Sequence, residues 1–213
     1  MSPPLVRLVT VAALAMLAMS CGSGDPTNAA TSSTRVQTAQ GEALLYGDGR
    51  YGVVLAHGAA YDAASWEEQA NAIADAGHTA LAVEDISADG IGAGVRYLSE
   101  ERGIESVAMV GASAGAGGAL ELAATRPELL DQLILLSPNS VVDGLGDEPK
   151  LFIASEDETV AGVSRTLAAN GPGASNEVLL VPGDTHAQGL FETEQADRVL
   201  QAILDRLEQF ADA

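Results

Sequence analysis

From about Gly52 onward, short continuous runs of Val, Ile and Leu alternate with longer stretches of helical pattern, and this alternation constrains the fold more than any other feature of the chain. A strand wetted on one face alternates apolar and polar residues, whereas a strand covered on both faces reads as an unbroken apolar run. The runs at 53–56, 79–83, 107–110, 132–136, 150–154 and 177–181 are of the second kind. Separated by helices, they predict βαβ units and a mostly parallel sheet with helices on both faces. A helix is expected after Ser65-Trp66-Glu67-Glu68, which has capping-box spacing, and it ends at Gly77. Further helices are expected over 92–101, 114–125, 160–169 and 194–210; the last carries Val199, Ile203, Leu207 and Phe210 on one face. Residues 44–46 add an edge strand, which gives an α/β fold with a sheet of about 6–7 strands.

The chain has 213 residues, of which 47% are apolar, enough for one domain with one substantial core once an export segment is set aside. Arg7 supplies a positive n-region, residues 8–18 form an apolar h-region, and small residues lead to Cys21, so residues 1–20 read as a signal peptide. The apolar run is too short for a membrane-spanning helix. Leu17-Ala18-Met19-Ser20-Cys21 resembles a bacterial lipoprotein cleavage box, which implies a lipidated Cys21 that holds the protein to a membrane at the cell surface. The alternative is an ordinary secretory signal and a soluble secreted protein. Cys21 is the only cysteine, so the chain has no internal disulfide. Residues 21–41 read as a flexible tether and 42–213 as the folded domain, because 22–40 are rich in Gly, Ser, Thr, Asn and Ala without apolar periodicity.

A formal charge of −20 opposes binding to nucleic acid, whose affinity rests on cationic side chains neutralising phosphates. Three histidines and one cysteine form no cluster with metal-ligand spacing, so a metal is not expected.

Gly111-Ala112-Ser113-Ala114-Gly115 follows the run at 107–110 and opens a helical stretch, which is the strand–turn–helix context that the G-x-S-x-G pattern requires. Such a turn leaves room only for small residues two before and two after the serine, and it exposes the hydroxyl at the carboxyl edge of the sheet. A serine hydroxyl is a weak nucleophile at neutral pH and needs a base, itself oriented by a third group. Pro182-Gly183-Asp184-Thr185-His186 supplies the base, since His186 follows an apolar strand and so reaches the same edge as Ser113. His78 follows Gly77 at a helix end and reads as a surface or C-cap residue, and His57 as a residue that shapes its loop. Glu156-Asp157-Glu158 comes directly after the run at 150–154 and offers three candidates for the orienting acid.

The order serine, acid, histidine, with this turn and an early His57-Gly58 loop, resembles the α/β-hydrolase family from about Gly52 to the C-terminus. The resemblance implies the α/β-hydrolase fold and an acyl-enzyme mechanism on a small-molecule acyl substrate, and hydrolysis on an activated serine requires no organic cofactor. It implies Ser113 as nucleophile, His186 as base and either Glu158 or Asp157 as acid, with Ser155 as the small residue that ends the strand. His57-Gly58-Ala59-Ala60 resembles the family's oxyanion loop, implying that the backbone N–H groups of Ala59 and Ala114 are the oxyanion donors. Only about a dozen residues separate the runs at 132–136 and 150–154, which leaves no room for a cap domain. The lidless form resembles dienelactone hydrolases and carboxylesterases more than epoxide hydrolases, whose nucleophile would be Asp where this chain has Ser113. Thioesterases and peptidases use the same triad. A non-catalytic binding lipoprotein on this scaffold is the rival reading, motivated by the ambiguous acid and by Glu84-Asp85-Ile86-Ser87-Ala88-Asp89 standing where the family has a Gly-rich turn. Tyr61 and Trp66 are candidates to line a substrate pocket.

Overall fold

Strands β3 (Tyr51–Ala56), β4 (Thr79–Val83), β6 (Gln132–Leu136) and β7 (Lys150–Ser155) are buried at every residue, and β5 (Ser106–Ala112) at all but its first. Alternate side chains feed two cores, one on each face of the sheet. On one face Val54, Leu81, Met109 and Phe152 pack against α2 (Ala88–Arg96), α3 (Ala114–Thr125) and α4 (Ala161–Asn170). On the other, Val53, Leu55, Val110 and Ile153 pack against α1 (Glu67–Asp75) and α5 (Ala196–Phe210), through Trp66, Ile73, Val199, Ile203 and Leu207. The computed structural model describes residue 1 and residues 33–211. Residues 2–20 of the expected signal, Cys21 and the tether as far as residue 32 lie outside the described residues.

With β1 (Thr34–Thr38), β2 (Gly41–Tyr46) and β8 (Asn176–Val181) the sheet has eight strands in the order β1-β2-β4-β3-β5-β6-β7-β8. Neighbours are parallel from β4 through β8, while β1 and β2 are antiparallel to each other and β2 is antiparallel to β4. The chain runs from β3 outward to β4, then returns to place β5 on the other side of β3. The carboxyl ends of β3 and β5 therefore flank the switch point at which open α/β sheets leave a crevice for ligands.

Several local expectations are corrected. The tether was expected to reach residue 41, but β1 pairs with β2 from Thr34 onward, so the sheet starts inside it; Thr-Arg-Val-Gln-Thr is too polar to look like a strand because it is an exposed edge. Residues 44–46 belong to β2, which is not an edge because β1 covers it. Ser65 does not cap α1. Asp62 accepts from Ser65 N–H at 3.0 Å and starts a 3-10 turn, Ala63–Trp66, that leads into the helix. α2 begins at Ala88 rather than 92, capped by Ser87 Oγ on Gly90 N–H at 3.1 Å. His78 is not at the surface: it is 5% exposed, and its ring meets Tyr51 edge-on at 5.7 Å between centroids. Trp66 is fully buried in the core, with Phe191 against its ring, rather than lining a pocket.

Candidate active site

The turn between β5 and α3 is a single residue, Ser113, held at φ 50° and ψ −106°. A non-glycine residue with positive φ is strained by a kcal/mol or so, and it persists where its surroundings over-determine it. Here Ser113 N–H donates to Leu136 O at 2.9 Å, and Gly115 N–H donates to His57 O at 3.0 Å, tying the start of α3 to the ends of β6 and β3. A Cβ on Gly115 would overlap the Ala56 carbonyl oxygen and stand 2.6 Å from its carbon; one on Gly111 would stand 2.9 Å from Gly115 O. Both collisions are with backbone, so the two glycines of the motif are sterically required.

His186 and Glu158 arrive from the ends of β8 and β7. His186 Nδ1–H donates to Glu158 Oε2 at 2.7 Å, and Nε2 is 2.8 Å from Ser113 Oγ, placed to accept its hydroxyl proton. With Nδ1 occupied by a carboxylate, the ring is held in the tautomer that leaves Nε2 a free acceptor. The Glu158 side chain is 4% exposed and that of His186 48% exposed, so the carboxylate is sheltered while the imidazole edge meets solvent. Glu158 Oε1 accepts from Ser137 Oγ–H at 2.7 Å and Ser155 N–H at 2.9 Å. Asp157, the other candidate acid, is exposed, and its carboxylate makes no hydrogen bond among the described residues. Its backbone N–H donates to Gly183 O at 3.0 Å.

The loop after β3 completes the edge. Gly58 lies beside Ser113, since a Cβ built on it would stand 3.7 Å from Ser113 Cβ. Gly58 N–H donates to Gln188 Oε1 at 2.7 Å, and Tyr61 N–H donates to Gly58 O at 3.0 Å. The N–H groups of Ala59 and Ala114 have no acceptor among the described residues, which leaves both available to a ligand. His57 is 7% exposed, its ring set between the carbonyls of Gly58 and Glu84. Tyr61 and Gln188 line a shallow depression of about 140 Å³ next to this loop.

No protein-family model matches the chain, and no curated protein sequence matches it. Its likeness is to solved structures. A dienelactone hydrolase from Anabaena variabilis superposes with a TM-score of 0.70 at 18% identity, covering 85% of this chain and 98% of that one. This chain has the α/β-hydrolase fold. Two further structures with that fold are a thermostable carboxylesterase cloned from a metagenomic library (TM-score 0.68, 13% identity, 87% and 90% of the two chains) and a monoacylglycerol lipase from Paleococcus ferrophilus (0.66, 15%, 79% and 98%). β6 and β7 are joined by an irregular loop of 13 residues, 137–149.

Of the residues singled out from the sequence, Ser113, His186 and Glu158 come together, with Ala59 and Ala114 at the same edge, while Asp157 stays outside. Sequence reasoning missed Ser137 and Gln188. Ser137 sits just after β6 at φ 47°, and its Oγ accepts from Ala187 N–H at 2.9 Å while donating to Glu158. Ala187 is itself at φ 49°. Ser113, Ser137 and Ala187 are the three non-glycine residues with positive φ among the described residues, and all three belong to this one network. No group of three or more His, Cys, Asp or Glu able to hold a metal exists among the described residues. A concavity of about 900 Å³ lies at the opposite edge of the sheet beside Tyr51, His78 and Ser106, far from this chemistry.

Proposed function

We propose that this protein is a serine hydrolase that cleaves carboxylic esters through an acyl-enzyme on Ser113. The observation that carries the reading is the relay Ser113 Oγ, His186 Nε2, His186 Nδ1, Glu158 Oε2, with separations of 2.8 and 2.7 Å. In this reading Ser113 Oγ attacks the acyl carbonyl as its proton passes to His186 Nε2, and Glu158 stabilises the imidazolium that forms. The developing oxyanion is met by Ala59 and Ala114 N–H, which need no reorganisation to do so. His186 returns the proton to the leaving alcohol; water then attacks the acyl-enzyme with the same base, releasing the acid and free Ser113. The dienelactone hydrolase, carboxylesterase and monoacylglycerol lipase of the same fold support an ester as substrate. The open edge around a half-exposed His186 supports a small substrate that enters without lid movement.

The test is fluorophosphonate labelling of folded protein, followed by p-nitrophenyl ester hydrolysis. Labelling is expected in the wild type, absent in Ser113→Ala, strongly slowed in Glu158→Gln and unchanged in Asp157→Asn. An unlabelled wild type would point instead to a binding protein on a hydrolase scaffold, and turnover of amides alone would refute the ester assignment. We further propose that the domain is exported and held to a membrane by a lipid on Cys21; unchanged membrane partition of Cys21→Ala would refute this.

A further inference from the structure

Gln188 is 4% exposed and carries no charge, yet it reaches across the edge of the sheet to residues far away in the chain. It lies two residues beyond His186, in the 3-10 turn Ala187–Glu192. Its Oε1 accepts from Gly58 N–H at 2.7 Å, and its Nε2 donates to Ser65 Oγ at 2.9 Å. Gly58 N–H can only donate, so it fixes which end of the amide faces the loop.

The first of these bonds acts on a residue that cannot hold itself, and the second anchors the amide that makes it. Glycine has the widest choice of φ and ψ of any residue, so the peptide that follows Gly58 has no intrinsic preference for one orientation. Gln188 holds the N–H of Gly58, while Tyr61 N–H at 3.0 Å and His57 Nδ1 at 2.8 Å hold its carbonyl oxygen, so both torsions of Gly58 are fixed by its neighbours and Gln188 alone secures the N–H side. In a planar trans peptide the carbonyl of one residue and the N–H of the next point in opposite directions. Fixing Gly58 C=O toward Tyr61 therefore aims Ala59 N–H the other way, where no group among the described residues accepts it. Because the short 3-10 turn starts directly after His186, Gln188 ties the segment that carries the base to the loop that carries Ala59.

We propose that Gln188 is a positioning residue that presents Ala59 N–H to the oxyanion. This inference rests on the hydrolase reading above and extends it. Loss of the Gln188 bond releases the peptide before Gly58, so φ of Gly58 is no longer held; the next peptide stays tied to Tyr61 and His57 but shifts with it, and Ala59 N–H is off line for part of the time. The effect falls on the transition state, where the charge is on oxygen, rather than on substrate binding.

The experiment compares wild type with Gln188→Met, Gln188→Asn and Gln188→Glu. Met keeps the shape and loses both hydrogen bonds; Asn stays polar but is one methylene short of Gly58; Glu keeps an acceptor for Gly58 N–H. Fluorophosphonate labelling of the wild type comes first, then steady-state kinetics on p-nitrophenyl acetate and inhibition by a trifluoromethyl ketone, which binds as a hemiketal oxyanion. The expected result is a kcat lowered about 10- to 100-fold in Met and Asn, somewhat less than deleting an oxyanion donor outright, with KM within about threefold. Trifluoromethyl ketone affinity weakens in step with kcat, and Glu restores most of both. The inference is overturned if kcat in Met and Asn stays within about twofold of wild type, or if Glu is as impaired as Met, which marks Gln188 as packing only. An unlabelled wild type overturns the hydrolase reading, and this inference with it; a labelled wild type with unaffected variants overturns this inference alone.

Discussion

Replacing Ser137 with alanine removes one oxygen that serves two partners. The hydroxyl donates to Glu158 Oε1 at 2.7 Å and accepts from Ala187 N–H at 2.9 Å, and Ser137 itself is fully buried. A hydrogen bond to a charged group contributes roughly 1.5–3 kcal/mol, and a buried N–H left without a partner costs roughly 1–3 kcal/mol, so the two together span about 2.5–6 kcal/mol. Ser155 N–H still serves Glu158 at 2.9 Å, and the half-exposed His186 lets water approach the orphaned groups. The expected loss is therefore near the lower end, about 3 kcal/mol, or a melting temperature about 6–12 °C lower for a domain of this size. Activity falls as well, since both the acid and the segment carrying the base lose an anchor; a displacement of an ångström is enough for a loss on the order of a hundredfold. Urea denaturation with thermal melts, and the rate of fluorophosphonate labelling, measure the two effects separately. A variant that melts with the wild type and labels at its rate would show that Ser137 holds nothing, and the account of the buried carboxylate would fall with it.

Two further outcomes follow from packing and from burial. Gly115→Ala forces a Cβ into the backbone of Ala56 and should cost about 3 kcal/mol or more, whereas Gly117→Ala meets nothing within 4 Å on the same helix and should stabilise by up to about 1 kcal/mol; thermal melts of the pair test the steric reading, which fails if both behave alike. Burial holds His78 below its ordinary value of 6.5, outweighing Glu208 at 4.0 Å, so the unfolded chain takes up a proton that the folded protein refuses. Stability should thus fall as pH drops through 6.5 toward the lowered value, and urea midpoints across this range should fall less steeply in His78→Phe; equal slopes in the two proteins would refute the assignment.

What could be read from the sequence was what neighbouring residues decide together. The central strands are covered on both faces, so each is an apolar run, and the glycines around Ser113 answer a steric demand made within a few residues. Thr34–Thr38 escaped notice because an edge strand is half solvated, and a polar five-residue strand looks like tether. α2 starts early because Gly90 and Gly94 let it crowd Asp85 and Val83, and those same glycines hide its periodicity. His78 was misread because what buries it, including Tyr51 and the helix bearing Glu208, lies far away in the chain.

The choice between Glu158 and Asp157 shows the same limit at the site. The two carboxylates are adjacent on one turn; the spacing from Ser155 puts Glu158 in the acid position, and Asp157, one residue nearer the strand, is the alternative. Asp157 is held by its backbone to Gly183, in the turn that leads to His186, while Glu158 reaches inward to Ser137, Ser155 and His186, which lie 21, 3 and 28 residues away. A carboxylate 4% exposed is tolerable only with such a set of donors, and the donors come from the ends of three strands. The backbone strain follows the same pattern. Ser113, Ser137 and Ala187 each sit in a conformation that a non-glycine residue adopts at a cost, and the N–H of each is fixed by a hydrogen bond to the end of another strand or to the next member of the set. Local propensity opposes all three, so the fold imposes them. Sequence can name the residue types such a site needs, but the sheet edge decides which carboxylate, hydroxyl and amide are brought into it.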